Sequence, residues 1–182
     1  MNVQVRPAHQ VDLEHPWLGL ESFSDETRGY FFGRDDEVAE LLQRLRLHPL
    51  LVFFGRSGLG KTSLLRARLI PDLEKLGERP ALYRIRYREG EDSPIEQLMV
   101  ALEAWGQLEV AGLAMPADPA SRIWLHFHQR EGSKRLTHLI LDQFEEIFTI
   151  GADWPDADLQ VRQTLAILTQ GAIPPAVVAN RT

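Results

Sequence analysis

Apolar positions along this chain change their spacing several times, and each change marks a predicted element. Between residues 35 and 47 they recur every three or four residues, which predicts an amphipathic helix that Pro49 ends. The next segment, Leu50–Phe54, is a continuous apolar run that closes on a glycine, and it predicts a buried central strand. A helix is expected over residues 61–70, ended or kinked by Pro71.

The remaining segments predict further strands and helices in alternation. Strands are expected at residues 81–87, 136–142 and 175–179, and helices at 93–108, 122–130 and 158–170. The first of these helices begins with a capping serine, Ser93, and carries Glu96 three residues later. Because strands and helices alternate, the pattern predicts an α/β fold whose parallel sheet is covered by helices on both faces.

Length and composition fit a globular domain. The chain has 182 residues, and residues 1–20, which lack periodicity, are expected to be an N-terminal arm or linker before a domain over 21–182. A net charge of −6 argues against a dedicated nucleic-acid binder. The chain has no cysteine, which excludes disulfides and thiolate metal sites, and no apolar run typical of a signal peptide or membrane span. A cytoplasmic protein is therefore expected.

A glycine-rich segment after the first predicted strand carries the clearest chemistry. Residues 55–62, GRSGLGKT, match the pattern G-x-x-x-x-G-K-[ST] at every fixed position. Glycines let backbone N–H groups converge on phosphate oxygens, and the following helix directs its N-terminus at the same anion. Lys61 adds a positive charge for the β- and γ-phosphates, and the Thr62 hydroxyl is expected to bind Mg²⁺. The segment predicts a nucleotide-binding phosphate loop.

An aspartate closes the predicted strand at 136–142, and two glutamates follow it. Asp142 is expected at the carboxyl end of the strand, where α/β sheets bind ligands, and it is predicted to hold Mg²⁺. Its alternative role is to cap the next helix. At least one of Glu145 and Glu146 is predicted to orient the attacking water, and the alternative is that both stabilise a helix dipole.

Two arginines, one before the loop and one inside it, are considered for contacts with the nucleotide. The Gly33-Arg34 turn precedes the first helix and is expected to contact adenine or phosphate, with a surface turn as the alternative. Arg56 lies inside the loop and is expected to face solvent or a neighbour. The six histidines lack metal-ligand spacing, so no metal site is assigned to them.

Three segments together resemble the STAND class of signalling NTPases, specifically the bacterial novel STAND ATPases related to NACHT and apoptotic ATPases. They are HPWLGLESFSDETRGYFFGRDDEVAELLQRL, LLVFFGRSGLGKTSLLRARLIPDL and LILDQFEEIFT. The positions that carry the resemblance are Pro16, Leu18-Gly19-Leu20, Phe23, Phe32-Gly33-Arg34, the loop, Ser63-Leu64-Leu65, Ile70-Pro71 and Asp142 to Glu146.

The resemblance implies a RecA-like (ASCE) P-loop NTPase core that binds ATP with Mg²⁺ and hydrolyses it slowly to reset a switch. It also implies homo-oligomerisation after a trigger, often in antiviral defence or stress signalling. Family members are longer and carry sensor and effector regions, so the domain is expected to be incomplete after its fourth strand, with Arg181 as the candidate for the family's strand-end arginine. The residues expected to contact the nucleotide are Gly33, Arg34, Gly55, Ser57, Gly58, Leu59, Gly60, Lys61, Thr62 and Ser63.

Three other functions stay open from the sequence. One is an ATPase that acts on nucleic acid, related to origin-recognition proteins, which share the glycine-arginine turn. Another is a kinase of a small molecule, and the third is an interaction module that keeps ATP without hydrolysing it. A GTPase is disfavoured because no Asn-Lys-x-Asp string is present to read guanine.

Overall fold

A computed structural model describes residues 11, 14, 16–19, 21–84, 86, 87, 92–104, 116–128, 136–170 and 173–175. The chain divides into two compact units, Met1–Arg79 and Pro80–Thr182. Most of the predicted fourth strand, residues 176–179, lies outside the described residues, as does Arg181. Within the described residues, no helix is long and apolar enough to cross a membrane.

The first unit is built on two helical segments. Helix α1 spans Asp35–Leu47, which confirms the predicted amphipathic helix, and it buries Val38 and Leu41. The second segment starts as α2, Lys61–Leu64, and ends as α3, Ile70–Lys75.

Pro71 does not end the second helical segment. A π-helical stretch, Leu65–Leu69, lies immediately before the turn that contains this proline. Proline has no N–H group to donate to the carbonyl four residues back, and a π-helical turn is one way for a helix to absorb such a local change in hydrogen bonding. The segment therefore continues past Pro71 to Lys75.

The expected central strand over Leu50–Phe54 is wrong for the described structure. These residues have no regular secondary structure. Leu50, Val52 and Phe54 are 54%, 70% and 85% exposed, while the two residues between them are partly buried. An apolar run becomes a buried strand only when a neighbouring strand pairs with its backbone, and no described strand does so.

The second unit contains a two-stranded parallel sheet in its described part. Strand β1 spans Arg79–Arg84, and strand β2 spans Thr137–Asp142. β1 begins and ends earlier than the predicted strand at 81–87, whereas β2 agrees closely with the predicted strand at 136–142. Because the strands are parallel, their last residues, Arg84 and Asp142, lie at the same edge of the sheet. The predicted α/β class is shown, and the four-stranded RecA-like sheet is not.

Three helices supply the core of the second unit. They are α4 (Pro94–Ala104), α5 (Pro119–His128) and α6 (Pro155–Gln170). Buried residues from all three helices form a cluster with the sheet that includes Tyr83, Leu98, Leu102, Ile123 and Val161.

The predicted start of α4 is confirmed in atomic detail. The Ser93 backbone N–H donates to Oε2 of Glu96 at 2.9 Å, and the Glu96 backbone N–H donates to Oγ of Ser93 at 3.3 Å. These bonds satisfy N–H groups that the first turn of a helix leaves unpaired. Next to this cap, the Tyr83 hydroxyl donates to the Pro94 carbonyl at 3.0 Å, and burial raises the pKa of Tyr83 to about 12. The cap and the tyrosine fix the first turn of α4 beside β1.

Candidate functional site

The phosphate loop is closed by its own lysine. The Lys61 Nζ atom donates to the Gly55 carbonyl at 2.8 Å and to the Arg56 carbonyl at 3.2 Å. Gly58 and Gly60 have φ angles of 82° and 72°, in the left-handed region that only glycine adopts without strain. The loop therefore curls back on the lysine before α2 begins.

The Gly33-Arg34 turn lies against this loop. One Nη atom of Arg34 donates to the Leu59 carbonyl at 3.1 Å, and its Nε lies 2.8 Å from Oε1 of Glu37. Gly33 turns the chain with a φ angle of 77°. The arginine holds the backbone of the loop, while its predicted contact with adenine or phosphate stays a prediction.

The residues before the Gly33-Arg34 turn, 21–32, form a stretch that we call the lead-in segment. Two of its aromatic residues contact the end of the loop and the start of α2. The Phe23 backbone N–H donates to Oγ of the buried Ser63 at 3.1 Å. A Cβ built on Gly60 would lie 4.0 Å from Cε2 of Phe31, and the Phe23 and Phe31 rings are 5.5 Å apart. Phe31 is a site residue that the sequence analysis did not single out. Its only signal in the sequence was its place in the aromatic run Tyr30-Phe31-Phe32 before the glycine-arginine turn.

The loop residues differ in exposure. Those from Gly55 to Leu59, which include Ser57 and Gly58, are exposed, whereas Lys61 and Thr62 are half-buried. Arg56 is exposed, as expected, although its carbonyl accepts from Lys61. The loop is thus exposed along most of its length, and the lysine lies at its base.

The predicted acids belong to the second unit. Asp142 ends β2, is 7% exposed, and accepts the Gln143 backbone N–H on Oδ1 at 3.1 Å. Gln143 turns the chain with a φ angle of 60°, and a 3₁₀ helix, Phe144–Phe148, follows. Glu145 on this helix is exposed, whereas Glu146 is half-buried. The structure thus distinguishes two glutamates that the sequence could not.

The described contacts gather the predicted site residues into two groups. In the first unit, the Gly33-Arg34 turn contacts the phosphate loop through Arg34, and Ser63, which follows the loop, accepts a bond from Phe23. In the second unit, Asp142 and the two glutamates lie within five consecutive residues at the end of β2.

The phosphate loop, the Gly33-Arg34 turn and the acidic residues at the end of β2 are features expected of an NTPase of the STAND class. The sequence matches the family described as Novel STAND NTPase 1 over residues 16–181, so the chain belongs to this family. A STAND NTPase contains a nucleotide-binding module, and such enzymes usually use a divalent metal. No curated protein and no solved structure matches the chain.

Proposed function

We propose that this chain is the ATP-binding, slowly hydrolysing switch core of a STAND-type signalling or defence protein in the cytoplasm. The observation that carries the proposal is the pair of bonds from Lys61 to the Gly55 and Arg56 carbonyls. They hold the ammonium at the base of the loop, where its positive charge would lie close to a bound triphosphate. An ammonium has three N–H donors, so the third can reach a phosphate oxygen.

The remaining phosphate contacts come from the backbone of the loop. The left-handed glycines Gly58 and Gly60 keep Cβ atoms away from the inner surface of the curl, which lets N–H groups approach the anion. The Arg34 contact with the Leu59 carbonyl limits how far this curl can open. Binding then costs less ordering of the loop, which favours affinity.

The donor types fit Mg²⁺. The Thr62 hydroxyl and the Asp142 carboxylate are the ligands we propose, since Mg²⁺ prefers oxygen ligands and usually binds through one or two carboxylates together with substrate phosphates. The metal would neutralise charge that builds on the phosphate oxygens. Glu145 and Glu146 are the proposed residues for orienting water.

We propose adenine as the base, because the chain lacks the Asn-Lys-x-Asp string that reads guanine. By analogy with the family, ATP binding would favour homo-oligomers, in which sensor and effector regions respond to a trigger. The acidic composition, with a net charge of −6, supports this proposal over an ATPase that acts on nucleic acid.

Replacement of Lys61 tests the proposed function. Lys61→Ala should weaken Mg-ATP binding at least about tenfold, because a charge-assisted phosphate contact contributes roughly 1.5–3 kcal/mol. Lys75→Ala is the matched control, since Lys75 lies on the same helical segment and pairs with Asp72. Isothermal titration of both variants, with ATP and with GTP, measures the effect. Equal ATP affinity in a folded Lys61→Ala chain, or tighter binding of GTP by the unaltered chain, would contradict the proposal.

A further inference from the structure

A polar cleft lies at the carboxyl edge of the sheet in the second unit. It has a volume of about 260 Å³ and is lined by Arg84, Arg86, Tyr87, Glu146 and Ile150. We call it the edge cleft. Arg84 is the last residue of β1, and Glu146 follows the end of β2, so the parallel pairing of the two strands brings these side chains to one edge. Neither arginine belongs to the phosphate loop.

The two arginines give the edge cleft its charge. Both residues are exposed, and among the described residues no ion pair joins either guanidinium to a carboxylate. Glu146 contributes the single acid, so the lining carries two positive charges and one negative charge. Guanidinium groups bind phosphate through pairs of parallel N–H donors and are more weakly hydrated than ammonium groups.

One residue of the lining, Tyr87, has a buried hydroxyl group. Tyr87 is 7% exposed, and its hydroxyl has no hydrogen-bond partner among the described residues. Burial, followed by the charge of Asp158, raises the pKa of Tyr87. Buried polar atoms are normally paired, and an orphaned one indicates a missing partner. The hydroxyl itself is enclosed, so a ligand oxygen can accept from it only after the cleft wall opens.

We propose that the edge cleft binds a phosphate group, held by the guanidinium groups of Arg84 and Arg86. A cavity of about 260 Å³ lies below the roughly 300–1,000 Å³ of sites for drug-sized ligands. It therefore suits a small anion or one phosphate of a larger molecule. Glu146 repels the anion and sets an upper limit on its affinity. None of its residues lies in the phosphate loop, and Glu146 is the one residue that it shares with the proposed nucleotide function.

The test weakens the phosphate loop as a competitor. In the full chain carrying Lys61→Ala, a phosphorus NMR titration with inorganic phosphate at low salt should show saturable binding. Adding Arg84→Ala and Arg86→Ala together should weaken this binding at least about tenfold, since two charge-assisted donor pairs are lost. Adding Arg46→Ala and Lys75→Ala instead, which remove two positive charges from exposed sites on the helices of the first unit, should leave it unchanged. Glu146→Gln should strengthen it by removing the repulsion.

The same titration with ribose 5-phosphate identifies the source of the phosphate group. Equal binding of both probes indicates a site for the free anion, and binding of the ester alone indicates that a larger ligand supplies the phosphate. The proposal is overturned if the Lys61→Ala chain binds neither probe, or if the Arg84 and Arg86 pair can be replaced without weakening the binding. Because all variants carry Lys61→Ala, any residual binding by the loop is the same in each, and the difference between them reports on the edge cleft.

Discussion

Glycines serve two different purposes in this chain. Gly58 and Gly60 are needed for their backbone angles, since each has a left-handed φ. Gly151 is needed for space, because a Cβ at this position would lie 2.9 Å from Cζ of Tyr87 and 3.0 Å from its hydroxyl oxygen. The ring of Tyr87 is therefore packed directly on a backbone that cannot accept a side chain.

This packing predicts the effect of one added methyl group. Gly151→Ala should lower the free energy of unfolding by about 1–3 kcal/mol, the usual cost of overpacking a closed site. Gly29→Ala is the control, since a Cβ there meets nothing within 4 Å and Gly29 has no positive φ. Urea denaturation of both variants measures the difference. A Gly151→Ala chain as stable as the control would show that the ring moves aside freely.

The contacts around the loop show which parts of the site the sequence could predict. The loop pattern is local, so it predicted the backbone turn that the glycines make, while the nucleotide contacts of Lys61 stay a prediction. The bonds from Arg34 to Leu59 and from Phe23 to Ser63 join residues 25 and 40 positions apart. Nothing in a residue pattern specifies such long-range pairs, because they depend on how the lead-in segment folds back onto the loop.

Among the elements, helices were predicted better than strands. The spacing of apolar residues in α1 indicates its buried face directly, so the predicted limits of this helix agree with the structure. The apolar run Leu50–Phe54 indicates only that its side chains favour burial. It does not indicate whether a neighbouring strand pairs with its backbone. A strand prediction therefore fails where the partner strand is not placed beside it, as for residues 50–54 in the described structure.

Helix α4 offers an internal comparison of buried and exposed positions. Leu102 is fully buried in the core, whereas Val100 on the same helix is 58% exposed. Leu102→Ala should lower the free energy of unfolding by about 2–5 kcal/mol, because it leaves a cavity in a closely packed cluster. Val100→Ala should change it by less than about 0.5 kcal/mol. Thermal or urea unfolding checks the contrast, and equal effects would place Leu102 outside the core.

At the scale of the whole molecule, the predicted site residues are distributed over two compact units. The phosphate loop and the residues that hold it belong to Met1–Arg79, and Asp142 with its two glutamates belongs to Pro80–Thr182. Changes at Lys61 should therefore act mainly on nucleotide affinity, whereas changes at the two glutamates should act mainly on hydrolysis. Separate measurements of binding and turnover can distinguish the two.

The last prediction concerns turnover by the isolated chain. Switch NTPases gain roughly 10³–10⁵ in rate from an arginine that can be supplied by another protein. Without such a partner, the purified chain should bind ATP but hydrolyse it well below about 1 s⁻¹. Asp142→Asn should remove the Mg²⁺-dependent gain in ATP affinity. Replacing Glu145 and Glu146 by Gln should preserve binding and remove the residual hydrolysis, whereas Asp153→Asn, at an exposed acid nearby, should do neither. A phosphate-release assay that shows brisk turnover, insensitive to the two glutamates, would contradict both the switch model and their assignment.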